Sequence, residues 1–91
     1  MSDSPYIFDA TTDNFQQGVI DNSHQVPVVV DFWADWCQPC KILMPLLEKL
    51  VTEYNGGFVL AKVNTEQQQQ LAAEHAVRSI PTVKIYRHGK V

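Results

Sequence analysis

The nine residues from Val26 to Ala34 restrict the possible folds of this chain more than any other segment. They are nearly continuous in apolar and β-branched residues, broken only by Pro27 near the start and by Asp31. An amphipathic surface strand would alternate, whereas a run of this kind is expected of a strand covered on both faces, central in a parallel sheet. Helices must then supply the two covers.

The flanking segments read accordingly. Tyr6-Ile7-Phe8 is a short apolar strand after a proline, and Thr11-Thr12-Asp13 offers capping side chains to a helix that turns Phe15, Val19 and Ile20 inward. From Cys37 to Tyr54 the positions Leu43, Leu46, Leu47, Leu50, Val51 and Tyr54 follow the helical period, and Asn55-Gly56-Gly57 ends it with residues that tolerate a left-handed backbone. Pro45 cannot donate to the carbonyl of Lys41, so a kink is predicted there. Phe58 to Val63 reads as a third strand. Thr65 and Gln68 have the spacing of a capping box for a helix through Leu71, Ala72 and His75, with glutamines 67 to 70 on its exposed first turns. Thr82 to Arg87 alternates as a fourth strand, and His88-Gly89 makes a tight hairpin turn toward Lys90 and Val91, giving an antiparallel partner. The order implies an α/β sandwich in which no repeat or linker is visible.

At 91 residues and 45% hydrophobic content the chain is one globular domain, 1–91. A formal net charge of −3 without a basic run excludes a phosphate-backbone partner, so no nucleic acid is expected. Met1-Ser2-Asp3-Ser4-Pro5 lacks the charge and apolar stretch of a signal peptide, and no apolar run approaches the roughly 20 residues of a membrane helix. The default location is cytoplasmic.

Two cysteines occur, three positions apart, too close to staple distant parts of a fold. With Cys37 at the helix cap, its sulfur lies beside N–H groups that have no intrahelical partner and at the positive end of the helix dipole, which favours thiolate. Cys37 is thus the nucleophile. Cys40, one turn inward on the same face, is the resolving thiol, and Pro39 falls in the first turn, where its missing N–H costs little. A zinc site is the competing reading, but it needs a second ligand pair, and His24, His75 and His88 are scattered. Structural burial is weak too, because the pair opens a helix between Trp36 and Lys41 instead of lying in an apolar run.

The stretch Val30-Asp31-Phe32-Trp33-Ala34-Asp35-Trp36-Cys37-Gln38-Pro39-Cys40-Lys41 resembles the active-site segment of the thioredoxin family, as does Ile80-Pro81-Thr82. Pro45, Lys62 and Gly89 stand at the spacing the family has, and the likeness covers nearly the whole chain. It implies a thioredoxin fold, with a central mixed sheet flanked by helices and the family's last strand and terminal helix missing from these 91 residues, so that one sheet edge and part of one face are uncovered. It further implies a protein-disulfide oxidoreductase. Cys37 attacks a substrate disulfide and Cys40 resolves the mixed disulfide, with no cofactor besides the redox-active Cys37–Cys40 pair. Disulfide-containing proteins are the implied partners, and a flavin-dependent thioredoxin reductase drawing on NADPH is the implied electron donor.

The same likeness makes Asp31 the family's buried carboxylate, and its apolar neighbours give a separate reason to expect a raised pKa and a proton-transfer role toward Cys40. Lys62 is implied as that carboxylate's neighbour on the adjacent strand. Pro81 matches a cis-proline whose loop faces the cysteines and lets the backbone of Ile80 pair with an extended substrate segment. Trp36 covers part of the site, and Trp33 packs beneath it. Gln38 departs from the family's usual glycine, so a redox potential does not transfer. The stretch from Glu66 to Thr82 is also similar to bacterial thioredoxin-like co-chaperones with a helical repeat tail, which gives the alternative of a binding module for clients or chaperones.

Overall fold

The fold was taken from a computed structural model, which describes residues 4–91. Residues 1–3, part of the N-terminal stretch read for a signal peptide, lie outside the described residues. Four strands form one sheet in the order β1-β3-β2-β4: β1 is Ile7–Asp9, β2 Val28–Trp33, β3 Val59–Asn64 and β4 Thr82–Tyr86. Strand β2 pairs in parallel with β3 and antiparallel with β4, while β1 pairs in parallel with β3. The sheet is therefore mixed. The antiparallel member expected after the His88-Gly89 turn is instead β4 itself, because the loop ahead of Thr82 brings the chain back beside β2 in the opposite sense. Past the turn, only the bridge between Arg87 and Lys90 forms. His88 and Gly89 both have positive φ, 58° and 85°, as a tight two-residue hairpin turn requires.

Alternation along β2 sends its side chains to two cores. Val28, Val30 and Phe32 join Ala61, Val63 and Tyr86 beneath Phe15, Val19 and Leu71. Each fully buried Val or Phe here is worth about 1.5–3 kcal/mol. On the opposite face, Val29 and Leu60 pack against Val51 and Leu47 of helix α1, Gln38–Tyr54. The strand read as covered on both faces is so covered.

Helix α1 runs unbroken through Pro45 and ends at Asn55, whose φ of +46° is the left-handed cap expected of it. Its apolar stripe is wider than the sheet it covers. Val51 is buried and Leu43 and Leu47 are half-buried, but Leu46, Leu50 and Tyr54, expected to face inward, are exposed. Leu50 and Tyr54 instead border an apolar groove of about 400 Å3 with Val29, Phe58 and Ile85.

In the turn after β1, Thr11 Oγ1 accepts from the Asp13 N–H and Asn14 Oδ1 accepts from the Thr11 N–H, but the helix itself starts from Phe15 with no side-chain cap, so the expected capping by Thr11-Thr12-Asp13 stays within the turn. The helix that follows is a π-helix, Gln16–Asp21, running into a 3-10 turn, Asn22–His24. Gly18 lets the Phe8 ring approach so closely that a Cβ there would lie 2.9 Å from it.

Helix α2 spans Gln69–Glu74 and does not open on a Thr65–Gln68 capping box. Thr65 Oγ1 donates to the Trp33 carbonyl, tying the loop to the end of β2, and Asn64 Oδ1 accepts from Glu66 and Gln67 in its place. At the other end, Ala76 takes the left-handed position with φ +56° while Val77 N–H bonds back to Ala72 O. A Cβ in that conformation costs roughly 1–2 kcal/mol, and glycine's looser unfolded chain offsets part of it. Ala76→Gly is expected to raise stability by about 0.5–1 kcal/mol. Urea unfolding measures it, and a midpoint at or below that of the parent chain would contradict the cap assignment.

Candidate active site

Strand β2 ends at Trp33, and the chain turns through Ala34, whose carbonyl accepts from Cys37 N–H, before α1 starts at Gln38. Cys37 is the N-cap residue, with extended backbone, and Pro39 lies in the first turn, where a missing N–H costs nothing. Cys40 N–H points at Cys37 Sγ at 3.3 Å, so the sulfur occupies the place of a capping oxygen. The two cysteines form a disulfide with Cα atoms 5.3 Å apart. Both cysteines are buried, Cys40 completely and Cys37 with 4% of its surface exposed.

Around the pair, Ala34 and both cysteines pack against Trp33 and Ile80. The Ile80–Pro81 peptide bond is cis. Neither backbone polar group of Ile80 has a hydrogen-bond partner among the described residues, whereas Thr82 Oγ1 donates to the Ser79 carbonyl. Trp36, 67% exposed, stands across a groove of about 370 Å3 from Ile80. Thr65, Ala72, Val77, Arg78 and Ser79 line the rest of it. Gln38 and Pro39 are exposed at the helix start but do not line the groove.

Asp31 lies on the α1 side of β2, between Val29, which touches the Leu47 and Val51 region of α1, and Trp33, which touches the cysteines. It is fully buried, and neither carboxyl oxygen has a hydrogen-bond partner among the described residues. Burial pushes its pKa up to about 6, against the pull of the Lys62 charge and with a smaller push from Glu48. Lys62 is the in-register neighbour of Asp31 on β3, as expected, but its Nζ is bonded to Glu48 Oε2 at 2.9 Å. Glu48 was not singled out from the sequence. Its position eight residues after Cys40, two turns along α1, was the signal that could have placed it near the same face. The groove residues Thr65 and Arg78 carried no such signal, because only the fold brings them opposite Trp36.

A disulfide at a helix cap, a cis-proline loop and a buried carboxyl below are thus assembled from three segments of the chain. The thioredoxin family model matches residues 6–91. This chain belongs to the thioredoxin family. It is 43% identical over 84 residues to a thioredoxin of Chlorobaculum thiosulfatiphilum, covering 92% of this chain and 76% of that one. It is 40% identical over 90 residues to thioredoxin 1 of a Nostoc species, covering 99% of this chain and 79% of the relative, and 44% identical over 84 residues to thioredoxin 2 of Chlorobaculum tepidum, covering 92% and 75%. Family and disulfide together make the protein a thiol–disulfide oxidoreductase. The co-chaperone alternative gains no support from these relatives. No group of three or more His, Cys, Asp or Glu side chains suited to a metal occurs among the described residues, and no described helix is long and apolar enough to cross a membrane.

The raised Asp31 pKa has a stability consequence. Between about pH 4 and pH 6 the folded thioredoxin holds a proton there that the unfolded chain has released, so stability falls as pH rises through that window. Below it the carboxyl is neutral in both states and nothing is lost. Asp31→Asn is expected to stabilise the oxidised protein at pH 7 by up to about 3 kcal/mol, with the gain gone at pH 3.5. Denaturant melts at the two pH values check this; an equal gain at both would show that the effect is not one of charge.

Proposed function

We propose that this thioredoxin reduces disulfides of other proteins in the cytoplasm, that residues 1–91 act as one domain, and that Cys37 is the attacking thiol. The observation that carries this reading is the difference in position: Cys37 is the helix cap and the less buried of the two residues, and Cys40 lies within the first turn, fully buried. In the reduced protein, orphan N–H groups and the helix dipole stabilise the Cys37 thiolate. It attacks one sulfur of the substrate disulfide. A Cys37–substrate disulfide forms, and the other substrate sulfur leaves as a thiolate. Cys40 then gives its proton to the Asp31 carboxylate and attacks Cys37 Sγ, forming the intramolecular disulfide and expelling the second substrate thiolate. The substrate gains two electrons and the dithiol loses them. A thioredoxin reductase returns them in the cell.

In this scheme Lys62 moderates the charge on Asp31. The free N–H and C=O of Ile80, held by cis-Pro81, accept an extended substrate segment as an added strand, and Trp36 covers it. Gln38 and Pro39 border the attacking sulfur and affect the balance between dithiol and disulfide.

Reduction of a protein disulfide driven by dithiothreitol tests the scheme. Cys37→Ser is expected to lose the acceleration entirely, and Cys40→Ser to stop at a covalent mixed disulfide detectable by mass. Equal rates for Cys37→Ser and the parent would remove the basis of the proposal. For the relay, Asp31→Asn is expected to slow release of the mixed disulfide, and identical release rates from pH 6 to 9 would exclude Asp31 as the proton acceptor.

A further inference from the structure

One row of in-register positions crosses the α1 side of the sheet: Asp9 on β1, Lys62 on β3, Asp31 on β2 and Val83 on β4. Side chains in such a row share a face. Lys62, 13% exposed, therefore sits beside the buried Asp31 and within reach of Glu48 on α1, and its ammonium can be drawn to either carboxylate. It bonds to Glu48, at 2.9 Å, and the two Asp31 oxygens are left without a partner.

The choice follows from solvation. Glu48 is 33% exposed and keeps its charge at little cost, whereas pairing Lys62 with Asp31 would require a second ion in a site closed to water. We propose that Glu48 is a positioning residue for Asp31: it tethers the Lys62 ammonium and withholds that charge from the buried carboxyl, which leaves the carboxyl able to take up and return a proton. The inference rests on the relay reading of Asp31. The groups facing Asp31 are Lys62 from β3, Glu48 from α1 and the apolar Val83 from β4, with Asp9 on the far side of Lys62 and the disulfide sulfurs carrying no charge. Glu48 favours the protonated carboxyl and Lys62 the ionised one.

The test is a carbon-13 NMR titration of the Asp31 carboxyl in the oxidised protein, for the parent, Glu48→Gln, Lys62→Met and the double variant. Freed from its tether, Lys62 turns to Asp31. Glu48→Gln should therefore lower the Asp31 midpoint by about one pH unit, the low end of what an adjacent opposite charge does. In the Lys62→Met background the same substitution should have less than half that effect. An unmoved midpoint in Glu48→Gln overturns the proposal, and so does an equal fall with and without Lys62, since Glu48 would then act only through its own field. Release of the mixed disulfide, followed against pH in the same variants, tests the relay separately. A midpoint that falls while release keeps its pH profile supports the tether and defeats the relay.

Discussion

Strand β2 is hydrogen-bonded on both edges and covered on both faces, so every side chain on it up to the half-buried Trp33 leaves water when the chain folds, including the one carboxyl it carries. The apolar members drive that burial, and Asp31 goes with them because strand geometry fixes its side chain on the α1 face, two positions from Val29 and two from Trp33. Slipping the strand by one residue would put Asp31 in the other core and carry Val28 and Val30 across to the α1 face. Register, core and acid are one decision. The end of β2 also delivers Cys37 to the start of α1, so the strand that buries the acid aims the disulfide above it.

The two sulfurs differ through the same geometry. A helix cap is the last position before the chain enters its own hydrogen bonding, and one turn later the chain is inside the packed layer. Cys37 sits at the first of these positions and Cys40 at the second, against Trp33 and Ala34. The cis-Pro81 loop closes the arrangement from the far side of Ile80. Its contribution is an unused pair of backbone polar groups, which an extended chain of almost any sequence can satisfy.

What could be read from the sequence is what short-range physics decides. The unbroken run of β2, the left-handed stop at Asn55, the His88-Gly89 turn and the capping place of Cys37 each depend on a few adjacent residues, and each is where the pattern put it. The direction of β4 depends on how the chain returns after α2, which no local pattern encodes. The exposed side of α1 was misread because a helical stripe reports which residues are apolar, not how wide the sheet beneath is; Leu46, Leu50 and Tyr54 extend past it. Thr65 has the spacing of a cap but spends its hydroxyl on Trp33, thirty-two residues away in sequence. The Glu48–Lys62 pair was invisible for the same reason, being a contact between a helix and a strand.

An acid held at a pKa of about 6 inside the core weakens the fold wherever it is ionised, and a chain selected for stability alone would place an apolar residue there. The surroundings relieve that cost only in part, through the field of Lys62. The nearest cation is bonded elsewhere, no hydrogen-bond donor reaches either oxygen among the described residues, and the helix above contributes a second negative charge. Each of these features makes ionisation harder, and together they keep the carboxyl ready to exchange a proton near neutral pH. A carboxylate paired with Lys62 would be more stable and would hold no proton at that pH, and so could not return one. The cost at Asp31 thus stands because burial and the Glu48 charge outweigh the pull of the tethered Lys62, which is the pattern expected where chemistry, not packing, sets the residue.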